Sequence, residues 1–331
     1  MPDTTNSPLV SILIPLYNAE KYIGDLLEWC IRQPYKNIEV VVVDDHSTDN
    51  SFAIAKRYEN DRIHVLTNPK KGSQSARNYA FEHSTGQYVK FHDADDYGSD
   101  NLILKQVERM LKDGDENAIV FSSLHTLSTN GSLYSLKSYN DKDYDDPIDY
   151  LSTAYRSFSF HCPHCFLLNR QTVEKVGGWK EDVMILQDNH FFTKAVEQAS
   201  KMLYVEGEYA IWRIFNDSQH LHCRTTEKMK NGIHTICDMA NTLLRHRDDQ
   251  KTRQIVSDFI GQYVYRDIRS FYPILPYVDS VCKQNGLEWT KVKSERLGFL
   301  YSILGWKYTT LLIDKWKKMG KLFTHLVNRK G

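Results

Sequence analysis

The chain has 331 residues, 41% hydrophobic and 25% charged, a globular composition that excludes long disorder and suits one large domain with a smaller one. Lys and Arg number 42 and Asp and Glu also 42, so the zero net charge gives no reason to expect a nucleic-acid partner. The opening "MPDTTNSPLV" lacks a charged-then-apolar export signal and no stretch reaches the roughly 18 apolar residues of a membrane span. Six irregularly spread cysteines do not form a small secreted disulfide framework. A cytoplasmic protein is expected.

In chain order, "LVSILIP" (9–15) and "IEVVVVD" (38–44) are continuous β-branched runs, the pattern of parallel strands covered on both faces. Between them Tyr22, Ile23, Leu26, Leu27, Cys30 and Ile31 recur at helical spacing, with Asn18 as N-cap and Pro34 as terminator. A second helix follows Ser47, "IHVLT" (63–67) is a third strand, a third helix opens near Ser73, and "GQYVKFH" (86–92) is the fourth strand. This alternation predicts an α/β, doubly wound sheet of the nucleotide-binding type. From about Asn216 helical periodicity dominates, so 216–331 is expected to be a helical extension of a domain spanning 1–215.

In such sheets ligands sit beyond the carboxyl ends of the strands. There the sequence places "PLYN", "DDHSTD", "NPKKGSQSARN" and "DADD", four polar loops at one edge. Helix capping accounts for Ser47, Thr48, Asp49, Ser99 and Asp100. It does not account for the pairs Asp44–Asp45 and Asp93–Asp95, because one helix start needs one cap. Carboxylates a residue apart at a strand tip suit a hard divalent cation, Mg²⁺ or Mn²⁺, whose charge relieves their repulsion.

Together "VSILIPLYNAEKYI", "IEVVVVDDHSTDNS", "GSQSARNYAFEHSTGQYVKFHDADD" and "VGGWKEDVMILQDNHFF" resemble a family 2 glycosyltransferase of the GT-A fold, over roughly residues 8 to 215. The resemblance implies a nucleotide-sugar half at about 8–100 and an acceptor half at about 101–215. It implies that Asp45 holds the uracil of a UDP-sugar with Asp44 beside it, that Pro15 and Tyr17 pack on base and ribose, and that Arg77 binds the donor. Asp93, Ala94 and Asp95 match the family's DxD motif. Asp93 would face ribose and sugar, and Asp95 would ligate the metal, with Asp93 as a further candidate ligand. Gly177, Gly178 and Trp179 followed by Gln187 and Asp188 match the turn that precedes the family's catalytic base, which makes Asp188 the base. Helix capping is its alternative reading. Attack from the face opposite the leaving group inverts the anomeric centre.

Gln187 stands where the family has glutamate, and His46 and His92 also depart from its pattern; these bear on substrate identity. Gly178, Trp179, Gln187, His161 and His164 are expected on the acceptor side. "FHCPHC" (160–165) has zinc-like spacing in Cys162 and Cys165 but no second pair. In "NDSQHLHC" (216–223), His220 and His222 are either metal or diphosphate ligands or surface histidines. The segment from Lys291 onward is basic and rich in aromatics. It either lies on an anionic membrane or packs its apolar side on the protein.

The resemblance implies an acceptor among the lipid-linked glycans of bacterial surface polysaccharides such as lipopolysaccharide, which enzymes resembling this one often extend, and an oligomer is compatible with the sequence. A sugar nucleotidyltransferase would carry a Gly-rich loop with Arg and Lys after the first strand, and "IPLYNAEKY" has none. A catalytically silent glycan-binding or membrane scaffold subunit would have lost the base or a metal ligand, and Asp188 and Asp95 are both present.

Overall fold

The computed structural model describes residues 7–136, 138–214, 225–290 and 315. The chain divides into two compact units, Met1–His222 and Cys223–Gly331. His220, His222 and, apart from Lys315, the basic segment from Lys291 onward, expected either to lie on a membrane or to pack on the protein, lie outside the described residues.

The first unit opens with β1 (Val10–Leu16), α1 (Ile23–Arg32), β2 (Ile38–Asp44), α2 (Ser51–Lys56), β3 (Ile63–Thr67), α3 (Ser73–Glu82) and β4 (Tyr88–Phe91). These strands are parallel and lie in the order β3-β2-β1-β4. The apolar residues of β1, and Val40 to Val43 of β2, are almost wholly buried, because helices cover both faces. With β1 between β2 and β4, the strand order reverses at the β1–β4 pair and opens a crevice beyond their carboxyl ends.

The unit continues through β5 (Tyr97–Gly98), α4 (Leu102–Asp113), β6 (Ile119–Leu127), β7 (Leu133–Leu136), α5 (Pro147–Ser157), β8 (Phe166–Asn169), α6 (Arg170–Val176), α7 (Gln187–Glu197) and β9 (Met202–Arg213). The sheet runs on as β4-β8-β6-β9-β5, with β7 paired to β6. Strand β8 is antiparallel to both β4 and β6, and β6 and β9 are parallel. Local chemistry sets several ends. Asp146 caps α5 with Pro147 in its first turn, Asn169 caps α6, and Gly114 and Gly177 end α4 and α6 in the left-handed conformation.

The expected cap for α1 is corrected. Asn18 precedes the helix by a loop, has φ of 47°, and accepts from the Thr48 amide instead. It thereby ties the loop after β1 to the loop after β2. Nor does Ser99 cap α4; its hydroxyl donates to Glu208.

The second unit contains α8 (Thr226–His246), α9 (Gln250–Arg266), α10 (Ile268–Phe271) and α11 (Leu275–Gln284), with Thr225 and Asp249 capping the first two. The periodic residues Ile255, Phe259, Ile260, Tyr263 and Ile268 are buried. Among the described residues no helix is long and apolar enough to cross a membrane.

Candidate active site

A cavity of about 780 Å³ opens at the strand tips. The end of β1 supplies Pro15 and the loop after it Tyr17, Asn18, Lys21 and Tyr22; β2 leads to Asp45; α3 supplies Ser73 and Arg77; and β4 leads to Asp93, Ala94 and Asp95. Thr129, from the turn joining β6 to β7, closes another side. The volume lies in the ordinary range for a small-molecule site.

Arg77 organises the floor. Its Nη2 donates to Asp93 Oδ1 at 2.7 Å and lies 3.8 Å from Asp188 Oδ1. The guanidinium stacks on the Trp179 ring with 4.4 Å to its centroid, while Nε and Nη1 are buried with no hydrogen-bond partner. A buried cation with two orphaned donors suits a site that receives an anionic or hydroxyl-rich ligand.

Asp45 accepts from the Gly72 amide at both carboxylate oxygens, 2.8 and 2.9 Å, and from Asn68 Nδ2 at 2.7 Å. It thus holds the start of α3 against β2. Asp44 lies deeper: Oδ2 accepts from the Ser47 amide, and Oδ1 is buried without a partner.

Asp188 lies in the first turn of α7 and is not its cap; that position is Leu186, with φ of 60°. Crowding by protein raises the Asp188 carboxyl to about 6; Arg77 pulls it down and Asp93 pushes it up. The side chain keeps 42% of its surface open, so it remains reachable from solvent.

The segment that carries Asp188 is pinned by α3. Asn78 donates to the Trp179 carbonyl and accepts from its amide, and Gln74 donates to the Val183 carbonyl. Ser73 donates to Gln187 Oε1 at 3.0 Å, and Gln187 Nε2 donates to the Met184 carbonyl. Gly177 and Gly178 have φ of 80° and 82°, and a Cβ on Gly178 would sit 2.8 Å from Asn78 Oδ1. Glycine is therefore required at 178 twice over.

Three acceptor-side expectations are corrected. Trp179 is buried, stacked on Phe191 at 4.2 Å and beneath Arg77, so it floors the site. His161 is buried between the Tyr150 hydroxyl and Asp141, which engage its two nitrogens. His164 is fully buried against His92, so it does not line an open pocket. Burial and then the Lys90 charge lower the His164 imidazole to about 3.

Of the expected metal ligands, Asp93 falls in a metal-sized cluster. Among the described residues, the group whose ligand atoms lie within 4.8 Å of one another is Asp93, Asp96 and His164, while Asp95 lines the cavity beside it. Both His164 ring nitrogens lack partners, and Nδ1 lies 3.7 Å from Asp96 Oδ2. Burial, then the charges of Asp95 and Asp93, raise Asp96 well above the usual carboxylate range. A cation would relieve that crowding, and an oxygen-rich set with one imidazole fits Mn²⁺.

Cys162 and Cys165 belong to no metal-sized cluster among the described residues, so the zinc reading finds no support.

Two residues that sequence reasoning missed, Lys90 and Arg213, support this loop. Fully buried Lys90 donates to Gln106 Oε1, the His164 carbonyl and the Phe166 carbonyl, and so fixes the turn bearing His164. Burial lowers its amine to about 7, yet three acceptors match the full donor set of an ammonium. The Arg213 amide donates to Asp96 Oδ1, and its guanidinium lies over Tyr22 and Tyr97. An apolar-flanked lysine directly before "FHDADD" was the available signal for Lys90. Asp96 stood in the acid cluster "DADD" without a role of its own, and nothing local marked Arg213.

Residues 11–177 match the family described as Glycosyl transferase family 2, and the chain belongs to that family. The glycosyltransferase GlyG of Streptococcus pneumoniae is 26% identical over 219 residues, covering 65% of this chain and 64% of that protein. The Escherichia coli UDP-Glc:alpha-D-GlcNAc-diphosphoundecaprenol beta-1,3-glucosyltransferase WfgD is 39% identical over 105 residues, covering 31% of this chain and 42% of that protein. The chain thus spans less than two thirds of these relatives' own lengths. Among solved structures, Staphylococcus aureus TarS 1-349 in complex with UDP-GlcNAc superposes with a TM-score of 0.69 at 17% identity, covering 94% of this chain and 92% of that one. The architecture is the GT-A fold.

Proposed function

We propose that the protein transfers a sugar from a UDP-sugar to a hydroxyl of a glycan or lipid-linked acceptor in bacterial surface-polysaccharide synthesis, with inversion at the anomeric carbon. One observation carries the reading: on the floor of the cavity, Arg77 holds Asp93 at 2.7 Å and stands 3.8 Å from Asp188. That arrangement brings a carboxylate for sugar binding and a carboxylate for proton removal beside one guanidinium nitrogen. UDP-Glc in the name of the Escherichia coli relative and UDP-GlcNAc in the TarS complex support a UDP-sugar donor.

Asp45 keeps an unused lone pair for the uracil N3–H, and Tyr17, half exposed at the rim, is free to cover the base. Asp93, fixed by Arg77, faces the sugar hydroxyls. Asp188 accepts the proton of the attacking acceptor hydroxyl, and a carboxyl near 6 is ionised at neutral pH while still basic enough for the task. Asp95 with Asp93, and Asp96 and His164 behind them, would hold Mn²⁺ or Mg²⁺. When bound, that cation supplies Lewis-acid stabilisation of the departing UDP. The basic, aromatic segment after Lys291 supports action at the inner surface of the cytoplasmic membrane, where a lipid-linked acceptor presents its glycan.

The test is UDP release from a panel of UDP-sugars with and without Mn²⁺. Release from one or two sugars that is abolished by chelation supports the proposal. A panel without release or thermal stabilisation overturns it.

A further inference from the structure

Strand β7 has all four of its residues, Leu133 to Leu136, exposed. Its register aligns Tyr134 with Thr126 of β6, and Thr126 is aligned in turn with Trp212 of β9. Residues that share a transverse row point to the same face of a sheet. Tyr134 is 55% exposed and Trp212 41%, whereas Thr126 between them is 4% exposed. Two open aromatic side chains therefore flank a small buried residue across two strand spacings, about 9.6 Å. One row further along that face, Leu136 stands opposite Leu124 and Ala210.

We infer that Tyr134 and Trp212 form a binding platform for the saccharide chain of the acceptor, outside the donor cavity. This rests on the glycosyl-transfer reading and adds a subsite to it. Continuity with the site comes first. Thr129 lines the donor cavity and lies three residues beyond Thr126 on the same chain, within about 10 Å. An acceptor whose reacting hydroxyl enters the cavity has its next sugars in reach of the platform.

The chemistry comes second. The face of a pyranose ring is apolar C–H surface and its rim is hydroxyl, which suits aromatic side chains with polar tips, and Tyr and Trp are the aromatics that combine the two. The two rows contain no Lys or Arg, which disfavours an anionic membrane as the occupant. The exposed side chains of these two rows, Tyr134, Trp212 and Leu136, are also far less than the roughly 800 Å² per partner that a stable protein interface buries.

The experiment uses the full-length protein and the variants Tyr134→Ala, Trp212→Ala and the double variant, on a printed array of bacterial surface oligosaccharides. UDP with Mn²⁺ serves as the separate donor-site probe in a thermal-shift assay. The proposal expects the wild type to bind a restricted set of oligosaccharides, each single variant to bind about tenfold more weakly, and the double variant not at all. UDP stabilisation should be equal in all four proteins, which also shows that the variants fold. Equal glycan binding by the variants, or an array blank for the wild type, overturns the platform. Absence of UDP stabilisation in the wild type strikes the donor reading instead, whatever the array shows.

Discussion

Arg77 and Asp93 are joined by a 2.7 Å hydrogen bond on the cavity floor, and the same Arg77 nitrogen lies 3.8 Å from Asp188. The pair links the strand-tip acids to the segment bearing Asp188. Because the Trp179 ring lies beneath the guanidinium, 4.4 Å to its centroid, the fork has little freedom to turn.

Arg77→Met should therefore weaken both functions. We expect kcat/KM to fall about 100-fold, the size of effect seen when catalytic groups are misplaced by an ångström. Arg77→Lys should recover little, since a point charge cannot reproduce a stacked fork. Removing the cation also lets the Asp188 carboxyl rise further, so the acid limb of the rate profile should move to higher pH. Steady-state kinetics across pH 5 to 8 check this.

Asp188→Asn should leave UDP-sugar affinity nearly unchanged while transfer falls by about 10³. In the wild type the carboxyl is raised to about 6, so it is deprotonated and competent above that pH and loses its base function as pH falls through it. The rate should accordingly drop below about pH 6, and the asparagine variant should lose that limb. Stopped assays of transfer beside calorimetric titration of the donor separate the two effects.

Asp95→Ala should abolish Mn²⁺-dependent UDP release, while Asp96→Asn discriminates between two arrangements of the ion. If the ion is held deep, by Asp93, Asp96 and His164, the asparagine variant loses Mn²⁺ affinity at least tenfold. If Asp95 carries it alone, Asp96→Asn affects only stability. Electron paramagnetic resonance of free Mn²⁺ reads the affinity directly.

Lys90→Met should destabilise the protein by about 3 kcal/mol, because it strands the partners that the amine holds in a dry interior, Gln106 Oε1 and the carbonyls of His164 and Phe166. Chemical denaturation measures the loss. Its reach into function runs through His164, whose carbonyl Lys90 holds at 2.6 Å.

The sequence made the first half of the sheet readable almost residue by residue. Strand β3 spans Ile63–Thr67 and α3 opens at Ser73, as the apolar run and the polar loop before the helix dictated. Long uninterrupted β-branched runs admit few other structures, and the polar loops that follow them had one edge to occupy. What misled was long-range pairing. Asn18 looked like a helix cap because its true partner, Thr48, belongs to another loop. His161 and His164 looked like pocket residues because Asp141, Tyr150 and Asp96, which surround them, are distant in sequence. A spacing pattern records neighbours on one element, and these histidines owe their burial to neighbours on others.

The most direct measurement is a crystal structure of the protein soaked with UDP and Mn²⁺. The account predicts the uracil beside Asp45 and Tyr17, with the diphosphate and one ion against the acids of the β4 loop. Nucleotide bound elsewhere, or a cavity that stays free of it at saturating concentration, would contradict it.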